Sequence, residues 1–268
     1  MILYLKDILE LIEEIAPHEL SEPWDNPGLQ VGAPRQQIKT IYFALDPTFN
    51  SIQKAIKYDA DLIITHHPLI FRSISRLSPD TYPGNVIKEA LGHNISIVSI
   101  HTNLDAAPGG INDILAEMLG LEGTEVLKGV PGVEAAGLGR IGNLSRRMGL
   151  RDFLEWAKGI FGLSKIRVVC DSLDRDVGKV AVLGGSGGSL VSIAAQKEAD
   201  VFITGDIGYH DALNALSHGL VLVDAGHFST EDPAYRIFGK KFGSMLRDRG
   251  FEVEVLLDHE ESDPFCII

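Results

Sequence analysis

An apolar run ends in two adjacent histidines in the stretch Asp61-Leu62-Ile63-Ile64-Thr65-His66-His67-Pro68. The run has the length and composition of a buried strand, and Pro68 lacks the backbone donor that would extend the strand within a sheet. Because successive side chains of a strand point to opposite faces, His66 and His67 can serve one site only if the strand ends there or if two metals share the site. The stretch therefore predicts a strand with a metal site at its carboxyl end.

Two further clusters of metal-binding residue types follow predicted strands. The run Ile95–Ile100 precedes a segment that contains His101 and Asp105. The run Leu220–Val223 precedes a segment that contains His227 and Glu231, which would share one face if a helix begins there. Because sites in open α/β sheets gather beyond the carboxyl ends of the strands, we expect the clusters to meet.

Strand-like and helical patterns alternate along the chain, which predicts an α/β fold built from βαβ units. The predicted strands are Thr40–Leu45, Asp61–Thr65, Ile95–Ile100, Lys179–Leu183, Val201–Thr204 and Leu220–Val223, and helical patterns cover Ser51–Tyr58, Val86–Leu91 and Leu190–Lys197.

A short internal sequence repeat suggests that the α/β unit is duplicated. The segment Ala60–Thr65 resembles Ala199–Thr204 in residue types and order. We therefore predict two related α/β halves, residues 1–126 and 127–268, that face one cleft holding the metal site. The segment from Gly120 to Gly149 is rich in glycine and is the best place for their junction.

Two glycine-rich segments raise the question of nucleotide or phosphate binding. Residues 137–142 match the dinucleotide-binding pattern by letter, but no apolar strand precedes them and no helix follows, so we reject that reading. Residues 184–189 lie between a predicted strand and a predicted helix. They would suit either an anion cradle or a tight turn that needs positive φ, and the sequence leaves both open.

Composition sets the class of protein and its compartment. The 268 residues carry a formal net charge of −13, which argues against general nucleic-acid or anionic-membrane binding. Only Cys170 and Cys266 are present, too few for a disulfide framework, so a reducing cytoplasm is expected. Acidic residues interrupt the apolar positions of the N-terminal segment, which predicts an amphipathic helix and not a signal peptide. No uncharged apolar stretch is long enough to span a membrane.

The clusters together with other motifs resemble the Nif-three-like dinuclear metal-centre family, also called GTP cyclohydrolase 1 type 2 homologues. The resemblance rests on residues 24–32, residues 64–68, residues 101–105, residues 204–206 and residues 226–231, and it spans nearly the whole chain. It implies two interlinked α/β domains, toroidal hexamers, and a chain of the short type without a large central insertion.

The resemblance also implies the ligands of two divalent metal ions. They would be His66, His67, Asp105, His227 and Glu231, with the two carboxylates shared between the metals. Mixed nitrogen and oxygen donors suit zinc, iron or manganese better than magnesium or calcium. His101 is a candidate further ligand, or a group that orients the ligands.

A metal-dependent hydrolase is the predicted function, acting on a small molecule or nucleotide that the sequence does not identify. His101 and His210 are the candidate proton-transfer residues, although His210 would equally suit a polar position at a helix start. The family name suggests GTP, but no guanine-reading motif is present in the sequence. The alternative is a non-catalytic metal-binding or scaffold protein that acts through protein partners.

Overall fold

The computed structural model describes residues 1–266 and has the α/β architecture that the sequence predicts. The strands are β1 (Leu3–Tyr4), β2 (Gly28–Val31), β3 (Gln37–Ile38), β4 (Thr40–Ala44), β5 (Leu62–Thr65), β6 (Ser96–Ser99), β7 (Leu121–Gly129), β8 (Gly137–Gly149), β9 (Arg167–Val169), β10 (Asp176–Ser186), β11 (Val201–Gly205), β12 (Val221–Asp224) and β13 (Glu254–Leu257). The helices are α1 (Leu5–Ile15), α2 (Phe49–Lys57), α3 (Gly84–Gly92), α4 (Thr102–Ala106), α5 (Ile111–Met118), α6 (Leu150–Phe161), α7 (Val191–Gln196), α8 (Tyr209–Ser217) and α9 (His227–Asp248).

Each predicted strand and helix listed from the sequence pattern overlaps an element of the same type. The chain forms two compact units, the first comprising Met1–Leu104 and Tyr235–Glu261. The second comprises Asp105–Ala234 and the segment that begins at Ser262. The division into duplicated halves at residue 126 stays a prediction. Among the described residues, no helix combines the length and apolar character that a membrane span requires.

Unit 1 contains a five-stranded sheet in the order β13-β4-β5-β6-β2. The strands β13, β4, β5 and β6 are parallel, and β2 joins the edge antiparallel. Thr65 pairs with Ala44 on one side and with Ser99 on the other, so the three central strands end in register. Residues that follow these strands therefore emerge at one edge of the sheet.

The core of unit 1 explains why these segments form strands and helices. All four residues of β5 are buried, as expected for a strand covered on both faces. Thr48 caps α2 by accepting a hydrogen bond from the Ser51 backbone N–H at 3.0 Å. Helix α2 buries Ile52 and Ala55 in the same apolar cluster as Ile63 of β5. Burial of a side chain such as Ile63 contributes about 1.5–3 kcal/mol.

Unit 2 contains a six-stranded sheet in the order β7-β8-β10-β11-β12-β9. The strands β10, β11 and β12 are parallel, and the others join antiparallel. The two repeat segments occupy similar places, because β5 and β11 each lie between two strands that are parallel to them.

The rejected nucleotide-binding pattern, residues 137–142, lies inside the long strand β8. Gly139 has φ +67°, and a Cβ there would lie 3.0 Å from the Val182 carbonyl oxygen. The glycines of this segment thus allow a close approach of neighbouring strands, and Arg140 between them is buried.

Candidate metal centre

Three imidazoles of unit 1 gather at the carboxyl ends of its parallel strands. His66 and His67 follow β5 directly, and His101 lies between β6 and α4. The ring centroid of His66 lies 5.1 Å from that of His67 and 5.1 Å from that of His101. One ring nitrogen from each of the three lies within 4.8 Å of the others, which is close enough for a single metal ion. The first two sequence clusters therefore meet, as the strand pattern predicts.

The backbone fixes the ring of His66. The residue is fully buried, and its Nδ1 lies 2.9 Å from the Ile100 carbonyl oxygen. A carbonyl oxygen only accepts, so Nδ1 carries the proton and Nε2 keeps its lone pair. Tyr235 packs beneath the ring at 5.5 Å between centroids. His66 is thus held in one tautomer, in which Nε2 is the ring nitrogen with the lone pair.

Carboxylates orient the other two imidazoles. The Nδ1 of His67 lies 2.8 Å from Asp46 Oδ1, and the Nδ1 of His101 lies 2.8 Å from Asp25 Oδ1. Burial alone would raise the pKa of Asp25, but the hydrogen bonds from His101 and Thr102 lower that pKa to about 2. Asp25 is therefore ionised at neutral pH and accepts a hydrogen bond from His101 Nδ1.

An exposed aromatic pair borders the imidazoles. Trp24 lies 6.0 Å from His101 in an edge-to-face arrangement and 5.7 Å from Phe71, measured between ring centroids. Both apolar side chains are about half exposed, with 56% of Trp24 and 47% of Phe71 accessible. One side of the cluster is thus apolar.

Unit 2 contributes a histidine and a carboxylate from one helix. His227 is the first residue of α9, and its Nε2 lies 3.0 Å from Glu231 Oε2 one turn later. The Nδ1 of His227 lies 2.7 Å from Asp206 Oδ2. Asp206 follows β11 and has the unusual φ of +55°. The structure confirms the predicted shared face of His227 and Glu231.

The glycine-rich turn 184–189 is shaped around these groups. Gly185 has φ +68°, and a Cβ on it would overlap Glu231 Oε1 and lie 3.3 Å from His227 Nε2. The backbone N–H of Gly184 donates to Asn112 Oδ1 at 3.0 Å, and that of Gly185 donates to Thr230 Oγ1 at 3.0 Å. These two backbone donors are therefore used within the protein. The glycines of the turn make room for the helix that carries His227 and Glu231.

The remaining predicted site residues differ in their surroundings. Asp105 is buried in the short helix α4, one turn beyond His101 in the sequence, and its backbone oxygen accepts from Asn112 Nδ2 at 2.9 Å. His210 is exposed in the first turn of α8, with its ring 5.6 Å from that of Tyr209. Among the described residues, the possible metal-holding groups do not include His210.

One feature unites the four buried or half-buried histidines. Each of them presents Nδ1 to an oxygen atom: the Ile100 carbonyl, Asp46, Asp25 or Asp206. Histidines that bind metals almost always donate their other ring N–H to such an oxygen. The donor set, with Nε2 atoms and buried carboxylates, therefore fits a divalent metal ion.

The sequence interpretation missed Asp25, Asp46 and Asp206 as histidine partners, although Asp46 and Asp206 each lie close behind the end of a strand.

Comparison with known proteins establishes the family. The model for Duf34/NIF3 (NGG1p interacting factor 3) matches residues 3–264. The chain belongs to the Duf34/NIF3 family. A Clostridium acetobutylicum family member named GTP cyclohydrolase 1 type 2 homolog is 35% identical over 266 residues, which is 99% of each chain. A relative of the same name from Campylobacter jejuni is 36% identical over 93% of this chain and 94% of its own.

Solved structures of Duf34/NIF3 relatives have the same fold. The crystal structure of a Bacillus cereus protein related to NIF3 matches with a TM-score of 0.90 and 28% identity, covering 100% of both chains. Reduced HcgD from Methanocaldococcus jannaschii matches with a TM-score of 0.81 and 34% identity, covering 96% of this chain and 98% of HcgD. These matches confirm the α/β fold class and the family that the motifs indicate.

Proposed function

We propose that this protein binds two divalent metal ions and is a metal-dependent hydrolase. The proposed ligands are His66, His67, Asp105, His227 and Glu231. The observation that carries the proposal is the fixing of every relevant histidine through Nδ1, which leaves Nε2 as the ligand atom. Zinc, iron or manganese would suit this mixture of imidazoles and carboxylates.

Both units contribute ligands in this proposal. Unit 1 supplies His66 and His67, whereas unit 2 supplies Asp105, His227 and Glu231. Two metal ions need more donors than either set contains, since a catalytic zinc alone takes about three protein ligands. The proposal therefore requires the two sets to act as one centre.

Such ions would polarise a substrate oxygen and generate a nucleophile from water at neutral pH. The protein would contribute orientation and proton transfer. Asp46, Asp206 and the Ile100 carbonyl hold the imidazoles in place. We assign proton transfer at Nε2 to His101, because its Nδ1 is held by the charged Asp25. His210 is the alternative proton-transfer group.

The metal content of the untagged protein, purified without added metal or chelator, tests the proposal. Elemental mass spectrometry is expected to find about two zinc, iron or manganese ions per chain. The same stoichiometry should return when a chelator-treated sample is reconstituted. A chain that takes up none of the three metals would refute the proposal and make the histidine clusters structural.

The substrate is left as a class: a small molecule or nucleotide with a hydrolysable bond. The relatives' name mentions GTP cyclohydrolase, but no residue of this chain has been identified that would recognise guanine. A second candidate is a metal-binding protein that acts through a protein partner, which the family description as an interacting factor favours. Metal-dependent turnover in a panel of nucleotides, phosphoesters and cyclic amides would support the hydrolase, and its absence would favour the second candidate.

We also propose, by resemblance to the family, that the chain assembles as a hexamer. The chain has a mass of 29.1 kDa, so light scattering after size-exclusion chromatography is expected to give about six times that mass. A monomer or dimer at micromolar concentration would refute the hexamer without affecting the metal proposal.

A further inference from the structure

The C-terminal segment of unit 1 places Glu261 at the end of the sheet. Strand β13 lies parallel to β4 at the sheet edge, with Leu257 paired to Phe43. The segment then continues in the same direction, because the Asp258 backbone N–H donates to the Phe43 carbonyl oxygen at 2.8 Å. Glu261 therefore lies beside the residues that follow β4.

The Glu261 carboxylate accepts hydrogen bonds from two successive backbone amides. Its Oε2 accepts from the Leu45 N–H at 2.7 Å, and its Oε1 accepts from the Asp46 N–H at 3.0 Å. Because both oxygens are engaged, the carboxylate fixes the position and the orientation of the turn at residues 45–46.

The same turn holds the adjacent histidines. The Leu45 carbonyl oxygen accepts from the backbone N–H of His66 and from that of His67, each at 3.1 Å. The Asp46 side chain accepts from His67 Nδ1 at 2.8 Å. A displacement of the Leu45–Asp46 turn would thus move the backbone of both histidines and the partner of one ring.

We propose that Glu261 is a positioning residue that sets the geometry of His66 and His67 for metal binding. The inference rests on the proposed metal centre. It assigns a role to a residue that is distant in sequence from every proposed ligand.

Other contacts also dock the C-terminal segment, so Glu261 is not its only anchor. Lys54 Nζ lies 2.8 Å from Asp258 Oδ1 and 3.1 Å from Asp258 Oδ2, and four residues of β13 pair with β4. Burial raises the pKa of Glu261 to about 7, with the nearby Asp258 and Asp46 also raising it and the two amides opposing. Burial and the two neighbouring carboxylates make the ionised form of Glu261 less stable in the folded unit than in water. Functional sites commonly contain groups that are destabilised in this way.

The test compares Glu261→Gln and Glu261→Ala with the neighbouring control Glu260→Gln. Glutamine preserves the shape of the side chain but presents an NH₂ group to one of the two amides, so one hydrogen bond is lost. Glu260 is a matched control because its side chain is 78% exposed. The measurements are zinc affinity by chelator competition, the visible spectrum of the cobalt-substituted protein, and thermal unfolding of the metal-free form.

Both Glu261 variants are expected to bind zinc about 10- to 100-fold more weakly and to show altered cobalt bands, with at most a small fall in the metal-free unfolding midpoint. The control should match the wild type in all three. Wild-type zinc affinity in both Glu261 variants would overturn the inference alone. An equal loss in Glu260→Gln, or a large fall in metal-free stability in both Glu261 variants, would also overturn it. A wild-type protein that binds no metal would overturn the proposed function and this inference together.

Discussion

Alanine at His67 and alanine at His227 are each expected to lower the metal content from about two ions to less than one ion per chain. His67 belongs to unit 1 and His227 to unit 2, so the two variants remove a ligand from opposite sets. If the two sets of ligands hold the ions together, as proposed, loss of either imidazole would weaken the binding of both ions. Elemental mass spectrometry after dialysis against buffer without chelator measures the effect.

His93→Ala is the matched control for these two variants. His93 is exposed, and its Nδ1 lies 3.0 Å from the Glu89 carbonyl oxygen of its own helix. It therefore has the same type of ring contact without belonging to either candidate set, and its metal content should stay at the wild-type value. Full metal content in both His67→Ala and His227→Ala would refute the shared centre. Loss of one ion and full retention of the other would indicate two separate sites.

Replacement of Asp113 by alanine is expected to destabilise unit 2 by about 3 kcal/mol, because it leaves a buried guanidinium without its anion. Arg140 is only 3% exposed, and its guanidinium binds Asp113 through Nε and through Nη2, the latter at 3.0 Å. Its Nη1 donates to the Gly137 and Gly139 carbonyl oxygens at 2.7 and 2.9 Å. Those two bonds remain in the variant, but they supply no opposite charge.

Urea unfolding at neutral pH, followed by circular dichroism, measures this loss. The double variant Asp113→Ala with Arg140→Met is expected to recover part of it, because the buried charge is gone. Asp174→Ala is the control, since the pair formed by Asp174 and Arg151 is exposed and should contribute less than about 1 kcal/mol. A loss below about 1 kcal/mol in Asp113→Ala would show that solvent reaches Arg140 after the substitution.

The sequence predicted the parallel strands and the residues at their ends, because both signals are local. An apolar run such as Leu62–Thr65 is buried in full, and the polar residues that follow it emerge at the sheet edge. The shared face of His227 and Glu231 was predicted on the condition that a helix begins there, and α9 does begin at His227.

The partners of the histidines could not be predicted, because they come from distant segments. Asp25 precedes His101 by 76 residues, and Asp46 precedes His67 by 21 residues. Hydrophobic periodicity carries no information about such pairs. The sequence pattern also does not reveal that the C-terminal segment returns to unit 1. The two paired strands, β13 and β4, are separated by more than half of the chain.

The glycine-rich turn shows a different limit. The letters of residues 184–189 suit an anion cradle and a tight turn equally, and they do not show that Asn112 and Thr230 bind two of the backbone amides. Both of these side chains accept hydrogen bonds from turn amides, and neither belongs to a motif that suggests this role.

The discontinuous composition of unit 1 has a consequence for its synthesis on the ribosome. The strand β4 is made more than 200 residues before its neighbour β13 and before Glu261. At typical rates of about 5–20 residues per second, this gap of more than 200 residues lasts roughly 10–40 s. During that interval β4 presents an unpaired edge, the kind of surface that pairs with other chains. A nascent chain also carries His66 and His67 before Glu261 can fix their supporting turn, so correct metal loading would follow the synthesis of Glu261.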